Sequence, residues 1–255
     1  MQIALTIAGS DSGGGAGIQA DLRTFQRFEV FGTSVITAVT AQNTLGVRAI
    51  HPIPPEIVAA QLAAVMEDLP PAAVKTGMLG TGPLVREVAA ALVRYNLAHY
   101  VLDPVMVATS GDRLLEPAAE RDVLERLVPL ARIVTPNLAE AALLTGSPVR
   151  GPEEMERAGR ELIGAGAGSA LVKGGHLQDE TLVDVLVTTT MVRHFAHPRI
   201  PTTSTHGTGC TLSAAITAGL ALGRGLEAAV AGAIDYVTRA IAQAPGLGSG
   251  HGPVR

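Results

Sequence analysis

The single cysteine of this 255-residue chain, Cys210, closes the stretch 206-HGTGC-210, which opens into a long apolar run. Gly207, Thr208 and Gly209 let consecutive N–H groups converge on an anion, and a helix beginning near Thr208 adds the positive end of its dipole. That field is worth about 0.3–1 kcal/mol per anionic group, and up to about 2 kcal/mol when partly buried. A thiol in the first turn of such a helix is expected to titrate below its free value of about 8.5. A lone Cys is more often a small buried hydrophobe; its place in an anion-binding turn favours chemistry instead. A cysteine hydrolase is a competing reading, with His206 or His176 as the base, but sequence brings neither ring to the thiol.

Lys75 and Lys173 are the only lysines among 19 Lys and Arg. An ammonium is a compact point charge, so a lysine kept in an arginine-rich chain suggests tight space near a phosphate. Lys173 leaves the apolar 170-ALV-172 and enters 174-GG-175, the setting of a phosphate contact. Lys75 ends 72-AAV-74 in the same way. Asp103 precedes Pro104 at the end of another apolar run, where it is either a turn aspartate or a group holding water on a cation. Asn137 and Glu140, three apart after Pro136, fit a capping box and equally a water-mediated Mg²⁺ site.

A second set suits a flat nitrogenous ring. Gln42 and Asn43 end an apolar run, and each amide both donates and accepts. Met78 could cover a ring face or simply fill core. The glycine-rich 9-GSDSGGGAGIQAD-21 matches neither the dinucleotide fingerprint nor the Walker pattern. Its glycines still allow close backbone approach, and Asp21, two turns into the following helix, faces either solvent or substrate.

Hydrophobic periodicity supplies the elements that must position these groups. Strands are predicted at 3–8, 34–41, 72–75, 100–104, 132–135, 169–173, 182–188 and 191–196. Helices are predicted at 16–30, 55–68, 83–95, 117–128, 137–145, 153–165, 208–222 and 226–242. Through residue 173 the alternation predicts a mostly parallel sheet with helices on both faces, and the last two strands an antiparallel edge hairpin. In such a sheet ligands bind beyond the carboxyl ends of the strands, where the polar stretches above recur. No linker, repeat or low-complexity tract divides the chain, so one α/β domain over 1–255 is expected.

Composition excludes several partners. The net charge of −4 and pI near 6.0, without a basic block, speak against nucleic acid. No run reaches 18 apolar residues, so no membrane span is expected. Met1 leads into 3-IALTIA-8 without a basic segment, and one Cys forms no internal disulfide; a cytoplasmic protein is expected.

Taken in order, 7-IAGSDSGGGAGIQADL-22, 38-AVTAQNTLGV-47, 75-KTGML-79, 103-DPVM-106, 135-TPNLAEAALL-144, 172-VKGGH-176 and 206-HGTGCTLSAAI-216 resemble the hydroxymethylpyrimidine and phosphomethylpyrimidine kinases of thiamin biosynthesis. The resemblance covers nearly the whole chain. It implies a ribokinase-like three-layer α/β sandwich that transfers the ATP γ-phosphoryl group to 4-amino-5-hydroxymethyl-2-methylpyrimidine and then to its monophosphate. It places the pyrimidine at Gly9, Asp21, Thr40, Gln42 and Met78, and Mg²⁺-ATP at Asp103, Asn137, Glu140, Lys173 and Thr208. Within the same resemblance, the 207–210 turn becomes an anion hole, Asp103 and Glu140 hold Mg²⁺ through water, Cys210 assists the hydroxyl, and the protein is a homodimer. Many ribokinase-like relatives carry Asp where this chain has Cys210. Two alternatives stay open from sequence: a pyridoxal kinase, whose substrate is also a flat ring with a hydroxymethyl, and a ligand sensor that keeps the cleft without catalysis.

Overall fold

The computed structural model describes residues 1–108, 111–175 and 180–255. Among these residues nine strands form one sheet: β1 (Ile3–Asp11), β2 (Phe31–Asn43), β3 (Gly46–Pro52), β4 (Ala73–Thr76), β5 (Tyr100–Leu102), β6 (Ile133–Val134), β7 (Ser169–Val172), β8 (Thr181–Thr188) and β9 (Val192–Pro198). Their order is β3-β2-β1-β4-β5-β6-β7-β8-β9, parallel from β2 to β7 and antiparallel at both edges. The expected hairpin is β8–β9.

The other antiparallel edge, β2–β3, is not predicted from sequence. Nearly every residue of β3 is exposed, so Gly46–Pro52 carries no alternation of buried and open positions to mark it. A two-residue turn joins it to β2, braced where the Leu45 N–H donates to Asn43 Oδ1 at 2.9 Å.

Among the described residues eight helices accompany the sheet: α1 (Gly17–Arg27), α2 (Pro55–Asp68), α3 (Gly82–Arg94), α4 (Glu120–Asp122), α5 (Leu138–Thr145), α6 (Pro152–Gly164), α7 (Thr208–Ala221) and α8 (Leu226–Ala242). The helix expected at 117–128 is composite. A 3₁₀ turn at Pro117–Ala119, the single α-turn α4 and a π-turn at Val123–Leu127 run together before Pro129. Pro129 has no N–H to continue the ladder, which stops a regular helix there.

Strand alternation sorts the core onto the two faces. Leu5, Ile7, Val74, Tyr100 and Leu102 pack with α2, α3 and the 117–130 segment. Ala4, Ala73, Val101 and Ile133 pack with α1, α7 and α8. Because β4 alternates, Lys75 lies on the side of α1 and α7, and Thr76 opposite it bonds to the Tyr100 hydroxyl at 2.6 Å. The parallel strands all end on one side of the sheet, and the side chains read as chemical gather there.

Candidate active site

Gly207 is the N-cap of α7 and is left-handed, with φ of 81°. A Cβ there would sit 1.9 Å from the carbonyl oxygen of Gly15, so the 207–210 turn and the glycine-rich loop are in backbone contact. The first intrahelical bond runs from Thr211 N–H to Gly207 O at 2.8 Å. The amides of Gly209 and Cys210 therefore have no acceptor within the helix. Thr208 donates both its N–H and its hydroxyl to Thr205 O, at 3.3 and 3.1 Å, which fixes the start of the helix.

Lys173 comes to this helix start from β7. A Cβ on Gly209 would be 3.3 Å from Lys173 Nζ and 4.0 Å from Asp103 Oδ2. The ammonium donates to Asp103 Oδ1 at 3.1 Å and stands 3.9 Å from Glu140 Oε2. Asp103 also accepts from Thr135 Oγ1 at 3.3 Å and Ser213 Oγ at 3.1 Å. Burial pushes the Asp103 carboxyl up, but Lys173, Lys75 and these hydroxyls outweigh it and hold it below the usual carboxylate range. Glu140 has less compensation, and burial raises it to about 7 despite Lys173. Asn137 and Glu140 form both halves of a capping box, at 2.9 and 2.8 Å. Asn137 Oδ1 thus serves the start of α5, while Glu140 combines that task with facing Lys173.

Lys75 and Asp21 form a wholly buried ion pair of 2.8 Å beneath this region, and Thr6 donates to the other Asp21 oxygen at 2.6 Å. Neither oxygen of Asp21 is left for a ligand. Its contribution is to hold Lys75, whose positive charge acts on Cys210 and Asp103. Asp21 is therefore brought to the site as support under the floor, unlike the other members of the ring set.

The thiol differs from expectation in one respect. Cys210 is partly open to the cleft, yet burial among protein atoms pushes its titration up to about 12, against the pull of Lys75 and a hydrogen bond from the Gly17 N–H. Desolvation of the charged form exceeds the helix field, so Cys210 is a neutral thiol at neutral pH. No His–Cys pair is found among the described residues: the His206 ring is turned to Asp11 and Gln42, and His176 lies outside them.

Around the ring set, Gly9 and Met78 are neighbours, since a Cβ on Gly9 would stand 3.2 Å from Met78 Sδ. Thr40 Oγ1 lies 3.0 Å from Ser10 O and 3.1 Å from the nearer end of the Gln42 amide. Sequence reasoning assigns no task to Asp11 and treats His206 only as a possible base. Asp11 accepts from the amides of Gly13 (2.8 Å), Gly15 (3.0 Å) and Ala16 (2.8 Å), and His206 Nε2 lies 2.8 Å away. Burial raises its carboxyl, but these bonds reverse the shift and leave it lowered. One carboxylate thereby ties the glycine-rich loop to the 206–210 turn, 195 residues apart.

A second support holds the turn after Lys173. The Gly174 N–H donates to buried Asp184 Oδ1 at 2.7 Å, and His197 Nε2 lies 3.2 Å from Asp184 Oδ2. The bond to Asp184 raises the His197 pKa above its ordinary 6.5. A raised histidine contributes stability that is fully present below the unfolded value and lost as pH rises through the folded one. His197→Asn should therefore lower the melting temperature at pH 6 and make little difference at pH 9; an equal deficit at both would remove the charge from this contact.

Comparison with known proteins places the chain in a family. The family model described as phosphomethylpyrimidine kinase matches residues 11–255. A hydroxymethylpyrimidine/phosphomethylpyrimidine kinase of Rhizobium meliloti is 52% identical over 99% of this chain and 96% of its own. The crystal structure of phosphomethylpyrimidine kinase from Clostridium difficile 630 superposes with a TM-score of 0.85 at 44% identity, covering 94% of this chain and 100% of that one. An ADP complex of Bacillus subtilis pyridoxal kinase superposes at 0.94 with 38% identity, covering 100% and 97%. The ribokinase-like α/β fold is thus shared. Among the described residues no helix is long and apolar enough to cross a membrane.

Proposed function

Because the chain belongs to the phosphomethylpyrimidine kinase family, we propose that the cleft transfers the γ-phosphoryl group of ATP to the hydroxymethyl of 4-amino-5-hydroxymethyl-2-methylpyrimidine, and then a second to the monophosphate, as a step of thiamin biosynthesis. The observation that carries this reading is the Lys173 ammonium, held by Asp103 and Glu140 against the Gly209 backbone at the start of α7. A positive charge and free helix amides on one spot are what an in-flight phosphoryl group needs, since its transition state is stabilised mainly by electrostatics and positioning.

In this reading the 207–210 turn forms the anion hole, with Gly207 and Thr208 shaping it and the Gly209 and Cys210 amides donating, and Lys173 neutralises the transferring group. Gly9, Thr40, Gln42 and Met78 hold the ring, with Asp21 acting through Lys75. Asn137 and Thr208 border the nucleotide. Asp103 and Glu140 suit Mg²⁺ held through water: they are carboxylates beside the phosphate position, and the described residues contain no cluster of three His, Cys, Asp or Glu that would cage the ion directly. When bound, Mg²⁺ supplies charge neutralisation on the phosphates. One domain, a homodimer and a cytoplasmic setting belong to the same reading. Exposed Phe31, Val39, Ile50 and Ile57 on β2, β3 and α2 leave apolar surface for a second copy, and a monomer by sedimentation would remove the dimer.

Cys210, as a neutral thiol, acts by orienting the hydroxyl and not as a ground-state thiolate base. Little nucleophile activation is needed in a loose transition state. Cys210→Ala should leave ATP binding intact and lower turnover about 3–10-fold, the weight of one well-placed hydrogen bond. Unchanged turnover with both substrates saturating would take Cys210 out of the reaction.

A pyridoxal kinase is favoured as the second reading by the superposition on the Bacillus subtilis enzyme. Mass spectrometry of product from an equimolar mixture of both alcohols with Mg²⁺-ATP separates the two. A higher kcat/KM for pyridoxal would reverse their order, and no product from either would favour a sensor.

A further inference from the structure

The contacts of Gln42 obey a constraint that fixes its amide. His206 Nε2 lies 2.8 Å from Asp11 Oδ2. That carboxylate is buried, accepts three loop amides and has no proton to give, so Nε2 carries the hydrogen and donates it to Asp11. With its one hydrogen given to Asp11, Nε2 has no lone pair to offer, so the Gln42 amide atom 3.4 Å away finds no acceptor there; an NH₂ would be unpaired against it, and the amide oxygen is the atom that suits a protonated nitrogen. At its other end, the amide meets Thr40 Oγ1 at 3.1 Å. The Thr40 hydroxyl has one hydrogen and two neighbours within reach; with the amide oxygen turned to His206, that hydrogen goes to the carbonyl of Ser10 at 3.0 Å. Thr40 therefore accepts from Gln42, and the atom facing it must be the amide nitrogen. Both demands are met together when the amide oxygen is turned to His206 and the nitrogen to Thr40.

We propose that the Asp11–His206 pair, opposed by Thr40, holds the Gln42 amide in this one orientation and so makes the site select a ring edge with an exocyclic amine beside a ring nitrogen. His206, Asp11 and Thr40 are positioning residues in this scheme. The remaining amide hydrogen and the remaining lone pair of Gln42 have a fixed order. The lone pair accepts from the ring amine, and the N–H donates to the ring nitrogen. A free amide would rotate to suit either partner, and discrimination would be lost with its orientation. Gly15 makes room for the device: a Cβ there would lie 2.3 Å from His206 Cδ2, so a side chain at this position would drive the imidazole off Asp11.

The inference rests on the aminopyrimidine reading, and two substrates separate them. Wild type, His206→Ala, His206→Gln and Thr40→Val are assayed with Mg²⁺-ATP on the aminopyrimidine alcohol and on its analogue lacking the 4-amino group, 5-hydroxymethyl-2-methylpyrimidine. Wild type should prefer the amine-bearing ring. His206→Ala should shrink that preference about tenfold, through a loss of kcat/KM about tenfold larger on the amine-bearing ring than on its analogue. His206→Gln, which keeps an N–H toward Asp11, should recover most of it, and Thr40→Val should shrink it from the other end. Equal losses on both rings would show a merely structural role and overturn the proposal, as would a preference untouched in both His206→Ala and Thr40→Val. Should His206→Ala not fold, Thr40→Val decides. If wild type turns over neither ring, the function fails first, and the dissociation constants of the two rings for wild type and Thr40→Val still decide the orientation.

Discussion

Lys173→Ala should lower kcat for phosphoryl transfer about 10²–10³-fold, the usual loss when one preorganised donor to a developing charge is removed. The ammonium touches Asp103 and stands next to the Gly209 backbone, so its charge is delivered where the transferring group must pass. The same substitution has a cost in stability. Lys173 compensates two carboxylates, Asp103 at 1% and Glu140 at 4% exposure. Removing one partner of a buried pair costs about 3–5 kcal/mol when the remaining charge has no escape. Glu140 does have one, because its carboxyl already titrates near 7 and takes up a proton; the loss should fall at the low end of that range and grow as pH rises above 7. Lys173→Arg should not restore the rate. A planar guanidinium is larger than an ammonium and cannot place its charge at the same point between Asp103, Glu140 and the helix start. Single-turnover rates and denaturation midpoints read the two effects separately. A rate loss under tenfold, with the fold intact, would remove Lys173 from the transfer step.

That Lys173 could be singled out from sequence follows from scarcity and place: two lysines in an arginine-rich chain, each at the end of a buried run. The same logic reaches β1, β4, β5 and β7, whose apolar residues are buried on both faces and so stand out as short continuous runs. It does not reach β3, which buries almost nothing, nor the irregular 117–130 segment, where periodicity persists while the hydrogen-bond pattern changes from 3₁₀ to α to π. Within the site, what local spacing sets was legible. The capping box of Asn137 and Glu140 and the helix start at Thr208 are of this kind. What depends on depth was not. The field at the start of α7 acts on Cys210 from its own neighbours in sequence, whereas the desolvation that defeats it comes from the whole surrounding fold. Asp21 reads as facing either solvent or substrate until Lys75, 54 residues on, is found against it. Asp11 and His206 meet across 195 residues, and the stretches that contain them are turn-like enough to need no further explanation when read alone.

Gly207→Ala should abolish activity, with turnover down at least about 10³-fold, while Gly209→Ala, two residues along the same turn, should lose only about tenfold. The difference lies in what each new methyl meets. At Gly207 the backbone is left-handed, which alone disfavours a side chain by about 1–2 kcal/mol. The methyl would also lie 1.9 Å from Gly15 O. That carbonyl cannot retreat, since the amides of Gly13, Gly15 and Ala16 and the His206 ring are all held on Asp11. Relief requires the glycine-rich loop and the α7 start to part, which separates the anion hole from the ring site. At Gly209 the nearest atom is Lys173 Nζ at 3.3 Å, the far end of a flexible side chain that moves aside by a few tenths of an ångström. Both variants keep every catalytic side chain, so kinetics with ATP and the pyrimidine alcohol isolate the backbone contribution. If Gly207→Ala retained a tenth of wild-type turnover, the contact between the two turns would not be what sets the geometry of transfer. If Gly209→Ala were the worse of the pair, the anion hole would depend on close backbone approach at Gly209 more than on the junction at Gly207.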